Sequence, residues 1–254
     1  MARMSKENVA RFFALLAAER PDPTTELQYI NPYTLLVAVV LSAQATDVGV
    51  NKATVELFKV ADTPAKMVAL GEAKLRDYIK TIGLYRTKAA NVIRLSEMLV
   101  EKHGGEVPAN REALEALPGV GRKTANVVLN VVFGQPTIAV DTHIFRLANR
   151  TGLAPGEDPR AVEEALERVV PDQYLRHAHH WLILHGRYVC TARNPKCEAC
   201  VVSHLCLYEA KTTLGDPAKA KASPARRPSR RAPASSLRAR GRRAPRRARR
   251  PGAK

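Results

Sequence analysis

The chain has 254 residues, and 41 Lys+Arg against 24 Asp+Glu give it a formal net charge of +17. The excess is local: residues 211–254 carry 16 Lys+Arg and one acid, Asp216, leaving 25 cations against 23 acids in residues 1–210. A near-neutral body long enough to bury a core therefore precedes a cationic tail; aromatic residues at 5% are sparse for an all-β sandwich or barrel, and the longest unbroken apolar run, Leu35 to Leu41, is far short of the ~20 residues of a membrane-spanning helix.

At the N-terminus, Val9, Phe12, Phe13 and Leu16 fall on one helical face between Glu7 and Glu19, which predicts an amphipathic helix stopped at Arg20-Pro21 rather than a signal peptide. Asn31-Pro32, Thr63-Pro64 and Asp158-Pro159 each pair a capping side chain with a proline at the first helical position. Further helices are predicted over Thr46–Val60, Glu72–Ile79, Arg86–Lys102, Arg111–Ala116, Gly121–Phe133, Thr142–Asn149 and Tyr174–Tyr188, punctuated by Gly83, Gly104-Gly105 and Gly152. Short helices with short connections and no convincing strand predict an all-α fold. His177, His179, His180 and His185 read as helix packing, with no carboxylate or cysteine on their face. The tail, rich in Arg, Pro and Ala, has little to bury and is expected to be disordered. Its arginine pairs suit a polyanion such as nucleic acid; a solubilising extension is the alternative.

The most informative segment runs from Leu114 to Val128. Pro118 ends one helix, Gly119-Val120-Gly121 allow a tight hairpin, and a second helix opens at Arg122-Lys123-Thr124. Free N–H groups at a helix start beside two glycines form a cradle for phosphate; an ordinary interhelical turn is the plainer reading, and Arg122 and Lys123 favour phosphate. Asp141, after the extended-looking Thr137-Ile138-Ala139-Val140 and before Thr142-His143, is either a helix cap or a carboxylate facing a substrate. Cys190-x6-Cys197-x2-Cys200-x5-Cys206 sets four thiols in 17 residues, a spacing that fits either tetrahedral zinc or a [4Fe–4S] cluster. Confined to one short stretch, these cysteines suit a metal centre better than two disulfides and point to a soluble intracellular protein.

Together, Leu41-Ser42-Ala43-Gln44-Ala45-Thr46-Asp47, Ile82-Gly83-Leu84-Tyr85, the hairpin, Val140-Asp141-Thr142-His143 and the cysteine array resemble, in order, the helix-hairpin-helix DNA glycosylases of the endonuclease III family. The likeness covers about residues 8–208. It implies an all-α, two-lobed fold: a six-helix lobe over residues 25–135, a cluster lobe from residues 1–24 and 136–210, and the tail over 211–254. It also implies base-excision repair of oxidised pyrimidines with nicking of the abasic site, Lys123 and Asp141 being the catalytic pair. A lysine amine forms a Schiff base at the sugar C1′ once neutral. Gln44 and Leu84 match positions that fill the gap left by the flipped nucleotide and wedge the opposite strand. The hairpin residues Gly119, Val120, Gly121, Arg122 and Thr124, together with His143, Arg193 and Lys196, are expected DNA contacts. The cofactor implied at Cys190, Cys197, Cys200 and Cys206 is a [4Fe–4S] cluster, the partner is duplex DNA with damaged bases or abasic sites, and the protein is expected as a cytoplasmic, nucleoid-associated monomer. Two rivals are a monofunctional glycosylase and a non-catalytic DNA-binding module; Lys123 with Asp141 argues against both.

Overall fold

The computed structural model describes residues 2–212, so the tail from residue 213 onward lies outside the described residues. Lys211 and Thr212, assigned to the tail from the sequence, instead bond to the cysteine loop: Lys211 Nζ donates to the Ser203 carbonyl at 2.8 Å, and the Thr212 hydroxyl accepts from the Cys197 amide at 3.4 Å. The described residues are all-helical, with no strand: α1 (Lys6–Glu19), α2 (Pro32–Ser42), α3 (Asp47–Thr54), α4 (Leu57–Val60), α5 (Pro64–Leu70), α6 (Glu72–Ile79), α7 (Tyr85–His103), α8 (Arg111–Glu115), α9 (Arg122–Phe133), α10 (Thr142–Thr151), α11 (Pro159–Val169) and α12 (Asp172–Tyr188). None is long and apolar enough to cross a membrane.

Local chemistry sets the ends. Ser5, Asn31, Thr46, Thr63, Asn110, Asp141 and Asp158 each accept an amide of the turn they open. The single helix predicted over Thr46–Val60 is two: the Thr54 hydroxyl takes the Val50 carbonyl at 2.9 Å, and the chain turns at Val55-Glu56 before α4. A hydroxyl bonded back onto its own helix bends it, and Thr54 and Val55 are both β-branched, which weakens a helix further.

The buried side chains form two hydrophobic cores. The first draws on residues between Leu27 and Leu129 and is built around α2, every residue of which from Tyr33 to Leu41 is buried. A helix apolar all round is stable only when enclosed. The second joins α1 to residues 138–205; Phe13 stacks on Tyr174 with centroids 5.9 Å apart, and Trp181 Nε1 donates to the Arg20 carbonyl at 2.7 Å. Between the cores runs an extended segment that α9 holds by its side chains. Asn130 Nδ2 donates to the carbonyls of Gln135, Thr137 and Arg176 at 3.1–3.2 Å, and the Thr137 hydroxyl donates to the Asn126 carbonyl at 2.7 Å. The helix that carries Lys123 is thereby tied to the segment that delivers Asp141.

Candidate active site

The hairpin forms as its sequence predicts, and its two glycines have different causes. Gly119 sits at φ +79, and a Cβ there would stand 2.9 Å from Asn91 Nδ2; a left-handed backbone against a neighbour requires glycine. Gly121 has φ −101 and open space where a Cβ would go. Nothing inside the described residues demands glycine there, so the clearance faces outward. Val120 is buried among the first core, which anchors the turn and leaves its backbone alone to meet a ligand. α9 has no side-chain cap, so its first amides, Thr124's included, remain available.

Arg122 differs from expectation. Its Nε and Nη2 donate to Glu163 Oε1 at 2.9 and 2.8 Å, with Glu163 buried on α11. That carboxylate, more than any other cause, raises the Arg122 pKa above its ordinary value. The side chain is thus engaged across to the second core.

Lys123, one residue on, is exposed and lines a pocket with Ser42, Asp47, His179 and Arg187. Among the described residues no carboxylate pairs with it, and Asp141 is not within ion-pair distance. Asp141 caps α10: its Oδ1 accepts the amides of His143 and Ile144, both at 2.9 Å. Oδ2 carries no bond among the described residues, so the cap occupies one oxygen and leaves the other without a partner. The α10 helix behind it crosses α12 closely, since a Cβ on Gly186 would lie 2.9 Å from the His143 carbonyl. His143 Nδ1 meets Arg146 Nη2 at 3.3 Å.

Gln44 and Leu84 are two of the three non-glycine residues at positive φ, at 55 and 58. Both are exposed, Leu84 to 61%, which removes the plain core role that an apolar residue suggests. Their turns are neighbours: a Cβ on Gly83 would sit 3.9 Å from the Gln44 carbonyl. Lys88, buried on α7, donates to the Leu41 carbonyl at 2.9 Å and so links the start of one turn to the helix behind the other. Left-handed backbone at a leucine is strained and persists only where the surroundings fix it. Lys88, Arg187 and Glu26 had no signal in the sequence, and Asp47 stood there only as the end of a matched segment, because Arg187 meets Asp47 and Glu26 across 140 and 161 positions.

In the cysteine loop, all four thiols are half-buried, none is in a disulfide, and together they line one pocket. Four thiolates on one zinc would converge at about 2.3 Å from a single point; among the described residues no three His, Cys, Asp or Glu side chains do so. A cluster, which offers each thiolate its own iron, fits four thiols that line one pocket. Burial, and after it the neighbouring thiols, push Cys200 up to about 11, and cations bound among the sulfurs would favour its thiolate. Arg150 braces the loop through the carbonyls of Thr191 and Ala192 at 2.7 and 3.0 Å. His185 corrects the sequence reading: its Nε2 lies 3.3 Å from Cys200 Sγ, so a cysteine does share that histidine face. Burial holds His185 near 4 and therefore neutral at pH 7. Arg193 and Lys196 are exposed at the loop tip.

Residues 37–172 match the HhH-GPD superfamily of base excision DNA repair proteins, and residues 190–206 match the iron–sulfur binding domain of endonuclease III. Endonuclease III of Haemophilus influenzae is 59% identical over 208 residues, covering 82% of this chain and 99% of that protein. Endonuclease III of Escherichia coli (strain K12) is 57% identical over 211 residues, covering 83% and 100%. The structure of a trapped covalent endonuclease III–DNA intermediate superposes with a TM-score of 0.76 at 44% identity, covering 80% of this chain and 96% of that one. The cofactor of the four-cysteine ring is a [4Fe–4S] cluster. With two hydrophobic cores, a helix-hairpin-helix beside Lys123, a cluster loop and identities above half over nearly the whole length of these relatives, the chain belongs to the endonuclease III family of base-excision DNA repair glycosylases.

Proposed function

We propose that this glycosylase is bifunctional: it excises oxidised pyrimidines from duplex DNA and then nicks the abasic site through a Lys123 imine. DNA lies between the two lobes, residues 25–135 and residues 1–24 with 136–210. The hairpin amides from Gly119 to Thr124, with Arg193 and Lys196 on the cluster loop, hold phosphates, while Gln44 and Leu84 enter the stack where the damaged nucleotide has left. Lys123, in its neutral form, attacks C1′; the glycosidic bond breaks and the base departs with a proton. Ring opening leaves an imine that acidifies the C2′ hydrogen. Loss of that proton expels the 3′ phosphate, and water hydrolyses the imine to return Lys123. Asp141 Oδ2, left over when Oδ1 caps α10, stabilises charge at C1′ and carries protons. The cluster, when bound, supplies the loop's structural centre and takes no part in these steps.

The observation that carries this reading is Lys123 itself, exposed, unpaired among the described residues and walling a pocket whose sides come from α2, α3, α9 and α12. The trapped covalent DNA complex of a 44%-identical relative supports it. Borohydride reduction on an abasic duplex tests it. The wild type yields a stable protein–DNA adduct, and Lys123→Ala yields none while keeping most of its DNA affinity. An adduct retained in Lys123→Ala would make another amine the nucleophile, and a wild type that excises without trapping would be a monofunctional enzyme.

A further inference from the structure

Lys88 is the one lysine or arginine that is buried among the described residues, at 6% exposure, although Arg86 and Thr87 beside it face solvent. Among the described residues no carboxylate pairs with it, and burial alone lowers its pKa. Taking an ammonium out of water without a counter-charge is costly. Its Nζ donates to the Leu41 carbonyl at 2.9 Å, at the negative end of the α2 dipole. The carbonyls around that one have local partners: the Ser42 hydroxyl donates to Val39 at 2.9 Å, and the Ala45 amide to Ser42 at 3.0 Å. A lysine reaching in from the surface would complete the set at less cost, so capping α2 does not by itself explain a buried one.

What distinguishes Lys88 is that both its ends are used. Its backbone amide donates to the Leu84 carbonyl at 3.1 Å while its side chain holds the last turn of α2, three residues before Gln44. One residue is therefore bonded to the two turns that carry an exposed Gln44 and an exposed Leu84, each at positive φ. Backbone in that region keeps its shape only where its surroundings fix it, and a hydrogen bond made inside the core is stiffer than one made in water. Given that Gln44 and Leu84 enter the stack at the lesion, on which the assignment rests, we propose that Lys88 is a positioning residue that clamps the two turns into a single wedge. Neither side chain then enters the duplex without the other, and the unstacking of the damaged base is driven by both at once.

The test is a mutant cycle in the holoprotein, read as single-turnover excision of 5,6-dihydrothymine from a duplex. With Lys88 in place, Gln44→Ala and Leu84→Ala should each slow excision ~10-fold or more, and the double variant should fall no more than about threefold below the slower single, because residues that act as a unit are not additive. In Lys88→Met, which keeps the stem and removes the donor, the same two losses should multiply, to ~100-fold for the pair. Lys88→Met alone should slow excision ~10-fold but leave nicking of a preformed abasic site, where no base has to be unstacked, within about threefold. Should Lys88→Met melt below the assay temperature, Lys88→Gln, whose amide stops one bond short of Leu41, carries the same comparison. Coupling that persists without the Lys88 amine runs through the DNA and overturns the proposal, as do losses that already multiply in the wild type. Excision and abasic nicking lost in parallel would make Lys88 a brace for the fold. If both alanine variants excise at the wild-type rate, the wedge reading itself falls, so the two failures are distinct.

Discussion

Gly186 is where a single methyl group should be most disruptive. It lies in α12 directly against α10, and a Cβ built there stands 2.9 Å from the His143 carbonyl oxygen, 3.1 Å from its carbon and 3.1 Å from its Cβ. Unstrained contacts of this kind begin near ~3.5 Å, so Gly186→Ala requires the helices to part by about 0.5 Å. The nearest atoms are backbone, and Arg146 pins the crossing by donating to the Gly186 carbonyl at 2.7 Å and the Cys190 carbonyl at 3.0 Å. Overpacking of this type costs about 1–3 kcal/mol, against which alanine's better helix propensity returns roughly 0.5–1 kcal/mol. A net loss of about 1–2 kcal/mol in a body of this size lowers Tm by about 2–8 °C. The same displacement moves the start of α10, where Asp141 sits, and catalytic geometry is sensitive at that scale; single-turnover excision should fall about 10-fold with DNA affinity largely kept. Thermal melting of the holoprotein and the rate assay together check this. A variant that melts with the wild type and excises at its rate would refute the tight crossing.

Three further substitutions probe other parts of the molecule. Gly121→Ala places its methyl in open space on backbone that alanine adopts, so Tm should move by no more than about 2 °C, while affinity for duplex DNA falls about 10-fold because the methyl blocks a phosphate from the α9 amides; unchanged affinity would remove the phosphate cradle. His180, held near 4 chiefly by burial and next by His177, stays neutral in the fold while the unfolded chain takes up a proton near pH 6.5. Its contribution is fully present above pH 6.5 and lost as pH falls towards 4, by on the order of 3 kcal/mol, so His180→Gln should flatten the fall in melting temperature over that window, and identical pH profiles would refute the assignment. Glu163→Gln should cost about 2 kcal/mol by leaving Arg122 without its carboxylate; a double-mutant cycle with Arg122→Ala that returns no coupling would reduce the pair to an incidental contact.

What could be read from the sequence was local. The caps at Asn31, Thr63 and Asp158 each depend on residues within one turn, and all three formed as expected. The α3–α4 break was hidden because apolar spacing continues through it; only the Thr54 hydroxyl, bonded to the Val50 carbonyl, interrupts the helix. The positions of Lys123 and Asp141 came from a motif, but the pocket beside Lys123 did not, since Glu26, Asp47 and Arg187 meet only after the chain has closed on itself. For His185 the sequence suggested packing alone, and the approach of Cys200 from 15 residues further on gave it a second role. Lys88 shows the same limit in another form: a lysine on an amphipathic helix reads as solvated, and burial of its charge against the Leu41 carbonyl depends on where α2 ends in space.

The location of the candidate site follows from how the two cores are joined. Among the described residues the buried side chains form two separate clusters; α9 holds residues 135–140 by the amides of Asn126 and Asn130, while Arg122–Glu163 and Arg187–Asp47 add ion pairs on elements of different cores. Partly exposed pairs contribute little net stability, so their effect is to fix orientation rather than to hold the halves together. A packed apolar seam there would exclude a polar ligand, whereas a seam of amides, guanidinium groups and carboxylates can exchange internal partners for those of a nucleotide. Lys123 and Asp141 stand at the two ends of that hydrogen-bonded connection, Lys123 in the first turn of α9 and Asp141 after the segment it anchors. Their spacing is therefore set by Asn126, Asn130 and Thr137, and disturbance of those three should alter the chemistry before it alters the fold.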